Sequence, residues 1–149
     1  MEAPAQIKPT KLGDYLEVLT KAVFETGMNW SVVESKWDGF REAFDGFDVE
    51  KVASLTPDDL DRLSNDTRII RNRRKIAATI HNAQAMIELD NEYKGFKNYL
   101  RSQGGFDGLL VDMKKRFQFV GPFGTYYFLF VVGEEVPPHD EFRAKLQGK

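Results

Sequence analysis

Cysteine is absent from the 149 residues of this chain, and histidine occurs only twice, at His81 and His139. Without cysteine the chain cannot form disulfide bonds, thiol nucleophiles or cysteine-ligated metal sites. Long apolar runs are missing too: no segment approaches the roughly 18 apolar residues of a membrane span. The N-terminal sequence MEAPAQIKPT also lacks the apolar stretch of a signal peptide. These absences predict a cytoplasmic protein.

A strong excess of one charge sign is missing as well, because 21 basic and 23 acidic residues give a net charge of -2. The chain therefore carries no global signature of nucleic-acid binding, and any basic footprint has to be local. The length suits one domain with a sizeable core. Aromatic residues make up 13% of the chain and include 12 Phe, so the core or a binding cleft is rich in rings.

Strand-like alternation does not occur over any length, and apolar residues recur at helical spacing instead. The pattern predicts an amphipathic helix over 11–26 that ends at Gly27, and a second helix capped by Asn29. Thr56 followed by Pro57 is a strong helix start. Further helices are predicted from Asp48, over 72–88, within 90–103, over 106–116, from Thr125 to Gly133, and after Val136-Pro137-Pro138.

These helices predict an all-α fold: a compact multi-helix domain over residues 11–149. A flexible N-terminal lead-in over residues 1–10, which has two prolines and little periodicity, precedes this domain.

The segment 117–133 contains a short glycine turn, Gly121 to Gly124, that follows three basic residues and precedes the apolar stretch Thr125 to Val132. Glycine lets backbone amides approach a ligand closely, and proline stiffens the turn. If Thr125 opens a helix, the free N–H groups of its first turn suit a phosphate. The segment is a candidate helix-hairpin-helix, which grips a nucleic-acid backbone without reading sequence. The alternative is a plain turn between two buried helices.

Residues 68–75 read RIIRNRRK and contain five basic side chains. One interpretation is the local basic footprint that nucleic-acid binding would require. The other is a solvated helix face, paired with nearby acids such as Asp58, Asp59 or Asp61.

Four segments resemble the 3-methyladenine DNA glycosylase I family of the helix-hairpin-helix glycosylase superfamily, in the same order and spacing. They are ETGMNWSVVESKWDGFREAFDGFDVEKVA, LSNDTRIIRNRRKIAATIHNAQA, KKRFQFVGPFGTYYFLFVVG and VPPHD. The resemblance covers most of the chain, roughly Tyr15 to His139, and the IIRNRRKI and FVGP elements are its more specific parts.

The resemblance implies an enzyme that binds damaged double-stranded DNA and rotates one nucleotide into a pocket. It would then hydrolyse the N-glycosidic bond of an alkylated purine such as 3-methyladenine. In this family Trp30 matches the tryptophan that stacks on the base. Tyr126 and Tyr127 line the pocket or pack in the core, and Tyr126 is taken as a base-binding candidate. The candidate contacts to the DNA backbone are Gly121, Phe123, Gly124, Lys115 and Arg116.

Two features depart from the family: its base-contacting Glu and its zinc site. Its base-contacting Glu lies eight residues before the matched Trp, where this chain has Ala22. Glu25 lies one turn later on the same helix face and is an alternative base contact, or else it caps or forms a salt bridge near the helix end. The family's zinc site retains only His139, because Arg143 replaces a Cys and the N-terminal ligands are missing. We therefore expect no zinc and no other cofactor.

Asp140 offers a second carboxylate. Other branches of the superfamily carry an essential Asp just beyond the second helix of the hairpin, where it stabilises a developing oxocarbenium charge or activates water. Asp140 falls at about that place. The alternative is an N-cap for a helix that starts at Glu141, and both roles can hold together.

The leading hypothesis is therefore a monomeric, monofunctional DNA glycosylase, in which Glu25 recognises the base and Asp140 is the catalytic carboxylate. Residues 121–125 contain no Lys that could act as an amine nucleophile, so no strand cleavage is expected. Two alternatives stay open. One is a non-catalytic DNA-binding or lesion-sensing protein that keeps the fold, which Ala22 favours. The other is a structural or protein-interaction domain.

Overall fold

The structure is a computed structural model that describes residues 4–147. All regular secondary structure in these residues is helical. Within that part a 3-10 helix (Asp45–Phe47) and ten α-helices follow one another, which confirms the predicted all-α class. The α-helices are α1 (Leu12–Glu25), α2 (Trp30–Ser35), α3 (Trp37–Ala43), α4 (Val49–Ala53), α5 (Pro57–Leu63), α6 (Arg73–Tyr93), α7 (Phe96–Leu100), α8 (Phe106–Arg116), α9 (Pro122–Val131) and α10 (His139–Leu146).

Three helix starts follow the capping residues that the sequence predicted. Asn29 accepts the N–H of Ser31 at the start of α2, and Asp48 caps α4. Thr56 and Asp59 exchange hydrogen bonds in a capping box at α5. A cap acts on N–H groups only two or three residues away, so local sequence is enough to place it.

Helix ends agree less well with the predictions. The single helix predicted after Asn29 divides at Lys36 into α2 and α3. The helix predicted over 72–88 continues to Tyr93, and the one predicted within 90–103 shrinks to α7. Asp90, the predicted start of the second helix, lies inside α6, and its carboxylate accepts the N–H of Phe96, the first residue of α7, at 2.9 Å.

The predicted starts of the last two helices were wrong. α9 begins at Pro122 and not at Thr125, since proline is well suited to the first helical position. α10 begins at His139, where Pro138 supplies the carbonyl that accepts the N–H of Phe142 at 3.0 Å. Asp140 therefore lies in the first turn of α10 and does not cap a helix starting at Glu141.

The central element is α6, which packs against α1, α4, α5 and α7, while α1 also packs against α2 and α9. This arrangement brings the C-terminal end of α1, the start of α2 and the first turns of α9 together. Fully buried aromatic side chains fill the core between the helices, among them Phe24, Phe40, Phe44, Phe47, Tyr99 and Phe128.

The lead-in contacts the end of α9 at two points. Gln6 donates a side-chain hydrogen bond to the carbonyl of Phe130 at 2.9 Å, and the backbone N–H of Ile7 donates to the carbonyl of Val131 at 2.8 Å. Residues 1–3 of the predicted lead-in and residues 148–149 of the predicted domain lie outside the described residues. Among the described helices none has the length and apolar character needed to cross a membrane.

Candidate functional site

Two aromatic rings form one wall of the candidate site. The cap at Asn29 turns the chain directly after α1, so Trp30 projects from the first position of α2 with 48% of its surface exposed. The ring of Tyr127, on α9, meets Trp30 edge-on at a centroid distance of 5.5 Å. Such edge-to-face contact orients an indole firmly, and a large part of Trp30 stays open to a ligand.

Glu25 lies at the end of α1 with only 8% of its surface exposed, and its Oε2 atom is buried without a hydrogen-bond partner in the described part of the chain. Burial raises the pKa of this carboxyl to about 7; Lys21 opposes the rise and Glu34 adds to it. The negative charge of Glu25 in turn contributes to the raised pKa of Tyr127, after burial of that phenol. Glu25 therefore lies beside the ring pair as a protonatable group with an unused oxygen.

Among residues 4–147 Glu25 forms no capping hydrogen bond and no salt bridge, which contradicts its other predicted role. The nearby ammonium of Lys21 forms its ion pair with Glu34 and lies 5.4 Å from the centroid of the Trp37 ring. Lys21 and Glu25 are four residues apart on α1, as are Trp30 and Glu34 on α2, so each pair shares a helix face. This spacing was the signal that could have placed Lys21 and Glu34 at the site.

Ala22, which the sequence resemblance places at the position of the family's Glu, is 4% exposed and faces α9. A Cβ atom added to Gly124 would lie 3.8 Å from the Cβ of Ala22, which is ordinary van der Waals contact. The two helices thus approach closely at small residues, and the carboxyl of this site comes from Glu25, one turn further along α1.

Tyr126 belongs to a different cluster from Trp30. Its hydroxyl donates to the carbonyl of Pro137 at 2.6 Å, and its ring stacks on Phe142 of α10 at 4.5 Å. Consecutive residues of a helix point about 100° apart, so Tyr126 faces α10 while Tyr127 faces α1 and α2. The structure therefore does not bring Tyr126 to the ring pair, and Tyr127 is the base-binding candidate in its place.

Asp140 lies exposed in the first turn of α10, where the helix dipole favours a carboxylate. No hydrogen bond or ion pair in the described residues joins it to Glu25. The neighbouring His139 ring is 5.7 Å from that of Tyr126.

The residues at the zinc site that the resemblance implied do not suit the metal. His139 has Arg143 one turn further on, the chain has no cysteine, and the described residues contain no cluster of three or more potential ligands.

The turn of the hairpin spans Gln118 to Gly121 and is fixed from α6. The buried side chain of Asn82 accepts the N–H of Gln118 at 2.8 Å and donates to the carbonyl of the same residue at 3.1 Å. Phe119 follows with a positive φ of 59°, and its 38% exposed ring lies 5.6 Å from the guanidinium of Arg74. This cation–π contact places a basic side chain at the turn.

The first turn of α9 presents free backbone donors. The N–H of Thr125 is the first to bond within the helix, to the carbonyl of Gly121 at 2.9 Å. The N–H groups of Phe123 and Gly124 precede it and have no intrahelical acceptor. The Phe123 side chain is 58% exposed, and no atom within 4 Å would obstruct a Cβ atom at Gly121. The backbone here is open to an incoming anion.

Lys115 and Arg116 are exposed but face α6 as well as solvent. Both border a cavity of about 240 Å³ that Glu88 and Glu92 also line, and Arg116 pairs with Asp112 at 3.4 Å. Their positive charge is partly balanced by these acids. Arg74, which contacts the turn itself, is a basic candidate that the sequence did not single out.

The basic run therefore divides into different roles. Arg73 of α6 pairs with Asp61 at 2.7 Å, as expected of a solvated helix face, and Arg68, in the turn before α6, pairs with Asp66 at 2.7 Å. Arg74 contacts the hairpin, whereas Lys75 is buried.

A larger cavity of about 730 Å³ lies between the α7–α8 turn and α10, and neither Glu25 nor Trp30 lines it.

Comparisons with known proteins agree with the sequence resemblance. Residues 10–110 match the model of the methyladenine glycosylase family. The chain is 31% identical over 130 residues to DNA-3-methyladenine glycosylase 1 of Escherichia coli (strain K12). This match covers 73% of this chain and 70% of the relative. It is 32% identical over 78 residues to DNA-3-methyladenine glycosylase of Haemophilus influenzae, covering 52% and 42% of the two chains.

A solved structure shares the fold. The 3-methyladenine DNA glycosylase I of Staphylococcus aureus superposes with a TM-score of 0.77 at 26% identity, covering 87% of this chain and 80% of that one.

Proposed function

Because the chain belongs to the methyladenine glycosylase family, we propose that it is a base-excision DNA glycosylase whose base pocket lies between Trp30, Tyr127 and Glu25. The observation that supports this pocket best is the buried Oε2 of Glu25, which has no partner in the described residues. An unpaired buried carboxyl oxygen is costly, and the polar edge of a purine is a ligand that would satisfy it.

Recognition of the base combines stacking with hydrogen bonding. A flipped alkylated purine stacks on the exposed face of Trp30, and a cationic ring gains further from the electron-rich indole. Glu25 then meets the polar edge of the base. Since the pKa of Glu25 is about 7, its carboxyl is able to accept or donate a hydrogen bond near neutral pH, and a positively charged base favours the carboxylate.

The hairpin holds the duplex while the base is out of the stack. Backbone phosphate oxygens accept hydrogen bonds from the free N–H groups of Phe123 and Gly124, at the positive end of α9. Arg74, Lys115 and Arg116 add positive charge. These contacts read no bases, so they allow a monomer to search double-stranded DNA for a damaged base.

Hydrolysis needs a water molecule to attack C1′ of the sugar while the bond from C1′ to the base nitrogen breaks. The nucleobase leaves with the bonding electron pair. The proton of the attacking water passes to a general base or to solvent. Asp140 is the proposed carboxylate that stabilises the cationic sugar or accepts this proton. No lysine occurs in residues 121–125 to form a Schiff base, so the reaction stops at the abasic site.

Release of 3-methyladenine from alkylated duplex DNA tests this proposal. Wild type is expected to release the base, and Trp30→Ala to lower kcat/KM by about 10- to 100-fold, the usual effect of losing one stacking ring. Val32→Ala, an exposed apolar side chain on the same helix, is the control and should retain activity. Asp140→Asn is expected to lose about 100-fold if the carboxylate acts on the reacting sugar or water.

The same assay separates the alternatives. Full activity of Asp140→Asn would refute its catalytic role but not the family function. Wild type that binds an abasic-site duplex without releasing any base would instead be a lesion sensor. The absence of salt-dependent DNA binding would reject both.

Arg74 provides a test of the interface. Its replacement by Ala is expected to make the negative slope of log K against log salt shallower by about one, as for the loss of one phosphate contact. Arg73→Ala is the matched control, because that neighbouring guanidinium already pairs with Asp61. Equal slopes for the two variants in filter binding or fluorescence anisotropy would place Arg74 outside the interface.

A further inference from the structure

A lysine is buried against the end of α1. Lys75 is only 5% exposed, and its Nζ atom donates hydrogen bonds to the carbonyls of Phe24, at 3.2 Å, and Thr26. The last turn of α1 has no basic residue of its own, so Lys75 supplies the cation that helix C-termini favour. Burial of a lysine in this way is expensive and lowers the pKa of its amine.

The two carbonyls that Lys75 binds belong to the residues on either side of Glu25. Immediately beyond them, Gly27 takes a positive φ of 73° and leads to the cap at Asn29 and to Trp30. Lys75 therefore holds the backbone from which the carboxyl and the ring of the base pocket both project.

Asn82 lies on the same face of α6, seven residues and two turns beyond Lys75. Its side chain is 1% exposed and binds both backbone groups of Gln118, next to the strained Phe119. A rigid helix separates the two attachment points by about 10 Å along its axis.

We propose that Lys75 and Asn82 are paired positioning residues: Lys75 fixes the base pocket and Asn82 fixes the DNA-binding hairpin, so that α6 sets their separation. The inference rests on the proposed function. A flipped nucleotide stays covalently attached to its phosphates. Productive excision therefore requires the base pocket and the hairpin to be held at a separation that the nucleotide can span.

Two ligands distinguish the two attachments. Free 3-methyladenine, followed by Trp30 fluorescence, reports on the base pocket, whereas a duplex with a tetrahydrofuran abasic analogue reports on the hairpin without a base. Lys75→Met is expected to weaken binding of the free base about tenfold or more, as when hydrogen bonds from a charged group are lost, while it leaves the abasic duplex within about twofold. Asn82→Leu is expected to show the reverse pattern, and both variants should lower kcat/KM for excision.

Thr79→Ala is the matched control, because Thr79 is fully buried on the same face of α6 and its hydroxyl bonds to the carbonyl of Lys75 within the helix. It should change neither ligand affinity. If Lys75→Met does not fold, Lys75→Arg keeps a cationic donor and is expected to bind the free base more weakly than wild type and the abasic duplex equally well.

The inference is overturned if the Lys75 and Asn82 variants weaken both ligands alike or leave both unchanged while wild type binds both. Wild type that binds neither ligand would overturn the proposed function, and the inference with it.

Discussion

Glu25→Gln is expected to make the protein more stable above pH 7 while it removes most of the base-excision activity. Glu25 is 8% exposed, and its pKa is raised from 4.5 to about 7, chiefly by burial. Each pKa unit corresponds to about 1.4 kcal/mol. Ionisation of Glu25 is therefore up to about 3 kcal/mol less favourable in the folded than in the unfolded state.

The direction of the pH dependence follows from proton uptake. Between pH 4.5 and about 7 the folded state keeps the proton on Glu25, whereas the unfolded chain has released it. The free energy of unfolding therefore falls through this window as the pH rises, and the contribution of Glu25 is constant above it. Glutamine does not ionise, so this part of the pH dependence should disappear.

Urea unfolding at pH 5 and pH 8 measures the effect. The stability of Glu25→Gln should exceed that of wild type by about 1 to 3 kcal/mol at pH 8 and differ little at pH 5. Glu135→Gln, an exposed loop carboxyl, should show no such difference. An equal loss of stability at both pH values would mean that Glu25 has a partner that stabilises its charge.

The activity of Glu25→Gln tests whether the destabilising carboxyl of Glu25 is needed for base recognition. If Glu25 binds the base, Glu25→Gln should lower kcat/KM for release of 3-methyladenine by about 10- to 100-fold, because a charge-assisted hydrogen bond is replaced by a neutral one. A more stable and fully active variant would assign base recognition to another residue. A variant that gains stability and loses activity is the pattern expected where a binding site contains a group that destabilises the fold.

Phe142→Ala is expected to destabilise the protein by about 3 to 5 kcal/mol, the usual range for a buried phenylalanine. Phe142 is 1% exposed and stacks on Tyr126, with the rings of Phe106 and Phe123 edge-on at 5.5 Å and 5.6 Å. These rings, together with an ion pair from Lys145 to Asp107 at 2.9 Å, hold α10 against α8 and α9.

Addition of a chelator is a control for the role of aromatic packing around α10. In this chain the residues around His139 do not suit zinc, and aromatic packing holds the C-terminal helix. Thermal unfolding should therefore be unchanged by a chelator, while Phe142→Ala lowers the midpoint. Leu146→Ala, 38% exposed on the same helix, is the control and should cost less than about 1 kcal/mol. A lower midpoint in the presence of the chelator would contradict this account of α10.

Base release by Phe142→Ala tests whether docking of α10 is also needed for excision. α10 carries Asp140 in its first turn, so undocking of the helix should reduce base release at temperatures where the rest of the protein is folded. Binding of the abasic duplex should decline less, since Asn82 holds the hairpin turn from α6.

Local sequence determined the helical class, the caps at Asn29, Asp48 and Thr56, and the order of the family's motifs. Capping and periodicity depend on residues within one or two turns of each other, so they can be read along the chain. Helix ends were harder to predict, because they also depend on contacts between elements, such as the hydrogen bond from the N–H of Phe96 at the start of α7 to Asp90 inside α6.

Only the tertiary structure decided which side chains share a site. The bond from Lys75 to Phe24 spans 51 positions, and no pattern in RIIRNRRK separates that buried lysine from its exposed neighbours. Tyr126 and Tyr127 are equivalent in sequence, yet the packing of α9 between α1 and α10 sends them to different clusters. The raised pKa of Glu25 likewise reflects loss of water around the carboxyl, which depends on every helix packed against it.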